Sequence, residues 1–308
     1  MLLDYKIGHE IRHTCILRTQ KMGATSNGGV FARGVLQDNS GTLNFICFKK
    51  EAVDFLKAEP PPVLLVTGTV QADRYSSDGA KQIVVENLEL PPAEANVAHV
   101  MPTTAKDLDQ YEKLLQQLIA GVEKDHFKKL LNQIFAGLTK KKFLKNPAAM
   151  THHHAYLGGL LEHSVDVATL AKKIAANYPA IDLDLVVSGA LLHDIGKIEE
   201  ISPQVGCEYT LSGRFIGHIA LGSMLVEKTI GKIENFPPEE RLELIHILLS
   251  HHGCLENGSP VAPATKEALI VHYADEIDST LNQLQQLAKG DKAEWQYSKT
   301  LARYVRVK

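Results

Sequence analysis

Seven side chains of metal-ligand type recur along this sequence in short, mostly apolar settings. They are His163 in GGLLEHS, His193 and Asp194 in ALLHDIGK, His218 in FIGHIA, His251 and His252 in LLSHHG, and Asp275 in HYADEID. Neutral imidazole and carboxylate suit manganese, iron, cobalt, nickel or zinc, and one carboxylate can bridge two cations. Asp194 is the candidate bridge. A single HisAsp pair arises by chance, and a histidine taken alone reads more readily as a core or surface residue. The ordered set carries the argument. For Asp275 the bland alternative is a solvated helix face shared with Glu276 and Asp278, but the flanking ALIVHYAD is too apolar for that. An unpaired carboxylate there would be costly.

Packed helices can position such a set, because side chains at several helix ends converge on one buried point with fixed rotamers. His193 and Asp194 end an apolar run just before Gly196, and His251 and His252 end another just before Gly253. Both pairs therefore belong at helix C-termini, where the helix dipole favours cations. Helical spacing predicts helices near 104–120, 123–137, 156–177, 183–194, 215–230, 238–250, 264–287 and 291–304, the first capped by Thr104 with Asp107 three residues on.

Residues 1–92 have a different period. Runs at 14–19, 29–36, 42–48, 63–70 and 82–88 are rich in β-branched and aromatic residues, with turn signals at 38–41 and 76–79 and a ProProPro connector at 60–62. A short amphipathic helix is expected at 49–57. Three strands, a helix and two strands is the order of an OB-fold barrel, a frequent binder of single-stranded nucleic acid. Phe31, Arg33, Phe45, Phe48, Arg74 and Tyr75 are candidates for a stacking and cationic surface, although strand aromatics also fill barrel cores. The expected fold is therefore a two-domain α+β chain: an N-terminal OB-fold β-barrel over 1–92, a linker near 91–96, and an all-α domain over 93–308.

Composition narrows the function classes. With 44% hydrophobic residues over 308 positions, the chain can fill sizeable cores. A formal charge of −3 gives no global attraction to nucleic acid, so such binding would rest on local basic patches or metal ions. Cys15, Cys47, Cys207 and Cys254 form no CxxC pair, which argues against a disulfide framework or a cysteine zinc site. No apolar run is long enough to span a bilayer, and the start MLLDYKIGHEIRH carries charges where a signal peptide has its apolar centre. A cytoplasmic protein with reduced thiols is expected.

On the segments GGLLEH and LLHDIGK above all, and on the ordered His, HisAsp, His, HisHis and Asp set, the chain resembles the HD phosphohydrolase superfamily. With an OB-fold ahead of HAYLGGLLEHS, it is similar more narrowly to the YhaM-type 3'-to-5' exoribonucleases, essentially from end to end. That resemblance implies an HD domain and divalent metal ions, typically manganese, with two as the expected number. It also implies digestion of single-stranded RNA or DNA from the 3' end. By motif position, His163, His193, Asp194 and Asp275 would hold one ion, and Asp194, His218, His251 and His252 the other. After HisHisGly the chain runs CLENGSP, which lacks the element of the cyclic-dinucleotide HD-GYP branch.

The expected chemistry is hydrolysis of a phosphodiester by metal-activated water, with Asp194 at its centre. Lys197, three residues after Asp194, could touch a phosphate oxygen. Lys140, Lys141 and Lys142 could guide the strand, although a basic run is commonly a solvated face. GlyGly at 158–159 suggests close backbone approach, placing His152, His153 and His154 at the rim of the site. There His154, and next His153, could bind phosphate or protonate the leaving oxygen; the alternative is a solvated loop. Two rivals remain at this stage: a phosphohydrolase of nucleotides or small phosphoesters, and a non-catalytic nucleic-acid-binding protein with a structural metal site. Self-association is left open.

Overall fold

The computed structural model describes residues 1–25, 28–73, 80–92, 100–101, 103–149, 154, 156–203, 208–290, 294–298 and 301–307. The chain divides into two compact units, Met1–Thr103 and Thr104–Pro203 together with Cys207–Lys308. Arg74, Tyr75, His152 and His153, the turn at 76–79 and most of the expected linker lie outside the described residues.

The first unit is a closed five-stranded barrel. Strands β1 (Glu10–Ala24), β2 (Val30–Asp38) and β3 (Gly41–Cys47) precede helix α1 (Lys50–Lys57), and β4 (Val63–Ala72) and β5 (Lys81–Glu89) follow it. The order around the barrel is β1-β2-β3-β5-β4, closed by β1 pairing with β4. Only the β3–β5 pair among these is parallel. Alternation drives closure: Leu36, Leu43, Phe45, Val66, Val70, Ile83 and Val85 turn inward, while Arg33 and Asn44 turn out. A register shift between Leu17 and Thr19 bends β1, so that one long strand serves two neighbours. Helix α1 adds Ala52, Val53 and Leu56 to the same core. The expected strands and helix are all present, in the order of an OB-fold.

The second unit is helical. Its elements are α2 (Leu108–Ala120), α3 (Asp125–Ile134), α4 (Gly137–Lys145), α5 (Gly159–Ala175), α6 (Leu183–Leu192), α7 (Lys197–Glu200), α8 (Leu211–Ile216), α9 (His218–Ile230), α10 (Pro238–Ser250) and α11 (Lys266–Gly290). Strands β6 (Ile201–Ser202) and β7 (Glu208–Tyr209) form one small ladder, and β8 (Trp295–Ser298) and β9 (Arg303–Arg306) another. Helices α5 and α6 are central. Every residue of α6 from Leu185 to Leu192 is buried, so its sequence is apolar all round rather than striped. None of the described helices is long and apolar enough to cross a membrane.

The structure corrects three expectations here. Asp107, not Thr104, caps α2, accepting from the backbone N–H of Asp109 and Gln110, while Thr104 turns its hydroxyl to Glu162. The helix expected over 123–137 stops at Ile134, and α4 begins at Gly137 in a left-handed conformation that interrupts the ladder. The helix expected at 291–304 is instead the β8–β9 hairpin. Its Trp, Tyr and Val residues favour paired strands, and that preference prevails over the helical spacing.

Candidate metal centre

Five helices deliver the seven ligand candidates to one buried locus. His163 stands in the first turns of α5, where a Cβ on Gly159 would lie 2.2 Å from the carbonyl oxygen of His154. Only glycine lets the helix start press against that backbone. His193 caps the C-terminus of α6, with Asp194 next, and both are 1% exposed. Gly196 follows, and a Cβ there would sit 2.0 Å from the His218 carbonyl oxygen, so the absent side chain allows the start of α9 to close on the end of α6. His251 caps α10 with His252 beside it, and Asp275 projects from α11.

Asp194 divides the cluster. Its Oδ2 lies 3.4 Å from the Nε2 of His163 and 3.4 Å from that of His193, and its Oδ1 lies 3.5 Å from His218 Nε2 and 3.6 Å from His251 Nε2. Asp275 Oδ1 stands 3.2 Å from His163 Nε2. Ligand atoms of Asp194, His218, His251 and His252 all lie within 4.8 Å of one another, as do those of His163, His193 and Asp275. These are two cation-sized groups on either side of one carboxylate.

The outer nitrogens fix which atoms face inward. His193 Nδ1 lies 2.7 Å from the Ala190 carbonyl, His251 Nδ1 2.8 Å from that of Leu248, and His252 Nδ1 2.9 Å from that of Asn257. A carbonyl can only accept, so each Nδ1 donates and each Nε2 presents a lone pair. His163 Nδ1 reaches Asp278 at 2.7 Å and His218 Nδ1 reaches Glu200 at 3.1 Å, which imposes the same orientation. The Nε2 atoms of His163 and His193 then face each other at 3.1 Å beside two carboxylates. Asp194 Oδ1, His218 Nε2 and His251 Nε2 are buried without a hydrogen-bond partner. Converging lone pairs and an orphaned buried carboxylate oxygen are the arrangement a divalent cation satisfies. The donor set fits the metal implied by the sequence.

Electrostatics agree. Burial raises the Asp194 carboxyl, but Lys197 and His193 outweigh it and hold the group well below the usual carboxylate range. Burial pushes His251 down to about 4, keeping its imidazole neutral and able to ligate. His163 is the exception: burial pushes it down, yet Asp194, Asp275 and Asp278 together carry it well above the ordinary value, so a cation binding there would displace the proton from Nε2. Three carboxylates, Asp194, Asp275 and Asp278, thus meet at His163.

The remaining predicted residues are placed less uniformly. Lys197 is buried, its Nζ 2.5 Å from Asp194 Oδ2. His154 corrects the expectation of an open rim position, being 1% exposed. Its Nε2 lies 2.9 Å from Asp278 and its Nδ1 2.8 Å from the Tyr156 hydroxyl, behind His163. Of the lysine run on α4, Lys140 pairs with Glu112 and Lys142 with Glu199, while Lys141 is exposed. In the barrel, Phe45 is core rather than surface, at 2% exposure, because it alternates inward on β3. Phe31 and Phe48 pair on the outside with ring centroids 5.9 Å apart, and Arg33 shares the outward alternation of Phe31. Sequence reasoning missed Asp278 and Glu200. Asp278 lies three residues after Asp275, on the same helix face, and that spacing was the available signal.

Comparison with known proteins follows the same outline. The family model of the HD domain matches residues 160–280, which include all seven ligand candidates, and a helicase family model, TraI_2, matches 95–182. The chain is 33% identical over 293 residues to the 3'-5' exoribonuclease YhaM of Listeria innocua, covering 94% of this chain and 92% of that protein. It is 30% identical over 286 residues to the 3'-5' exoribonuclease YhaM of Bacillus subtilis, covering 92% and 89%. A protein of the same name from Listeria monocytogenes is 33% identical over 293 residues. With the barrel, the HD segment and near full-length identity all in agreement, the chain belongs to the YhaM family of HD-domain proteins.

Proposed function

We propose that this protein is a metal-dependent 3'-to-5' exoribonuclease that hydrolyses single-stranded RNA, and single-stranded DNA as a second substrate, in the cytoplasm. The observation that carries the reading is the placement of Asp194 between two groups of inward-facing imidazole nitrogens. His163, His193, Asp194 and Asp275 would hold one ion, and Asp194, His218, His251 and His252 the other. Two divalent cations, manganese by preference, would supply an activated water and neutralise the scissile phosphate.

The protein's own groups do the rest. Asp278 and Glu200 orient His163 and His218, so that the site is organised before substrate arrives. Lys197 steadies Asp194 and presents positive charge to a phosphate oxygen. In this reading the barrel, residues 1–92, grips the strand through Phe31, Phe48 and Arg33, and residues 93–308 cut it. Lys141 adds a cation on α4.

A strand labelled at its 5' end tests the reading: it should shorten in single-nucleotide steps with mononucleotides released, and only with a divalent metal present. Internal fragments, or activity unchanged in the double variant His193→Ala, Asp194→Ala, would overturn it.

A further inference from the structure

The β8–β9 hairpin turns its aromatic side chains the wrong way for a structural element. Cross-strand register pairs Trp295 with Arg306 and Tyr297 with Tyr304, which puts all four on one face. Trp295 is 59% exposed, Tyr297 50% and Tyr304 68%. On the opposite face Ser298 is 3% exposed, and Gln296 and Val305 are half-buried. A hairpin that served only to cover the helical core would present its rings inward and its serine to water. The T-shaped Tyr297–Tyr304 pair, with centroids 5.4 Å apart, is an ordinary cross-strand staple. It does not account for Trp295, which stands exposed opposite an arginine.

The chemistry of the face selects the occupant. Its members are flat rings and the Arg306 guanidinium rather than aliphatic side chains; Arg303, paired with Ser298, stands on the other face. The stretch 294–308 contains Lys299, Arg303, Arg306 and Lys308 against one carboxylate side chain, Glu294, in a chain of formal charge −3. Glu294 holds Arg306 at 2.6 Å on the surface, an exchange a phosphate can enter. Exposed rings interleaved with cations form a platform on which successive bases stack while the backbone is neutralised.

We propose that the β8–β9 hairpin is a binding site for single-stranded nucleic acid, separate from the metal centre and from the barrel. Trp295 and Tyr304 stack bases, and Arg306 meets a phosphate. The inference rests on the reading that a single strand is the substrate, and its test separates the two.

Trp295 is the chain's single tryptophan, so its emission reports on this face alone. The full-length metal-loaded protein is titrated with a hydrolysis-resistant phosphorothioate oligoadenylate. Saturable, salt-sensitive quenching of Trp295 is expected. Affinity for the fluorescently labelled strand should fall about fivefold or more in Trp295→Ala and be retained in Trp295→Phe. Emission unchanged at saturating strand would overturn the site while leaving the nuclease reading intact. An emission shift that depends on protein concentration without any strand, with a matching rise in mass, would assign the face to a second copy of the chain and also overturn it. Quenching without any 3' shortening of an ordinary strand would keep the hairpin site and remove the proposed activity.

Discussion

Asp278 accepts a hydrogen bond from His163 at 2.7 Å, and through it the imidazole turns Nε2 toward His193 and Asp194. The same carboxylate oxygen receives His154 at 2.9 Å, so the pair is braced from behind by a residue that never faces the cluster. Orientation of a ligand by such a partner typically accounts for 10- to 100-fold in metal affinity.

Asp278→Asn should therefore weaken Mn²⁺ binding about tenfold or more, as measured by calorimetric titration, with the helical circular dichroism unchanged. His154→Ala should act in the same direction, because it loosens Asp278. Unaltered titration curves would show that His163 needs no such support.

In the proposed function Lys197, bonded to Asp194, would contribute charge without being a ligand. Lys197→Met should leave the metal content of the purified protein near that of the parent and lower turnover about a hundredfold, the scale of one lost electrostatic donor. Equal losses of metal and turnover would mean that the lysine only holds Asp194 in place.

The barrel has a pH dependence of its own. Burial raises the Asp38 carboxyl, but hydrogen bonds from His13, Ser40 and the Leu2 N–H outweigh it and hold the group below the usual carboxylate range. A carboxyl lowered in the folded state stabilises fully above its unfolded value, about 3.9, and the contribution is lost as pH falls toward the lower folded value. Hydrogen exchange of the β1–β5 amides reads this locally. Exchange should accelerate as pH falls below about 4 beyond the intrinsic rate change, and Asp38→Asn should weaken protection at neutral pH by about 1–3 kcal/mol and flatten that dependence. Identical protection in parent and variant would discount the carboxylate.

Thiol accessibility gives a simpler check. Burial, with Asp38 adding to it, pushes the Cys15 thiol up to about 12, whereas Cys254 is half-buried beside the metal centre. An alkylating reagent should label Cys254 in the folded protein and Cys15 only after denaturation. Early labelling of Cys15 would mean that the barrel opens readily.

Much of this architecture is legible in the residues. The barrel follows from period-two runs separated by Asn, Gly and Pro turns, and those runs reappear as β1 to β5. His163, His193, Asp194, His218, His251, His252 and Asp275 stand out because each interrupts an apolar run, and burial of such groups requires partners. The supporting residues are harder to read. Asp278 and Glu200 sit among other carboxylates, Glu276 and Glu199; the three-residue spacing from Asp275 marks Asp278, whereas only the fold distinguishes Glu200 from Glu199. His154 lies in a polar histidine run whose composition suggests a loop at the surface, yet tertiary contact with Asn282 and Asp278 buries it. The β8–β9 hairpin reads as helix because its spacing fits, while the deciding cross-strand pairs are separated in sequence.

In the proposed function Asp194 would lie between two metal ions, and electron paramagnetic resonance of the Mn²⁺-loaded protein tests this most directly. Two equivalents of Mn²⁺ per chain with a spin-coupled signal are expected, replaced by uncoupled or lost manganese in Asp194→Asn. One equivalent with an isolated six-line spectrum at saturating Mn²⁺ would contradict it.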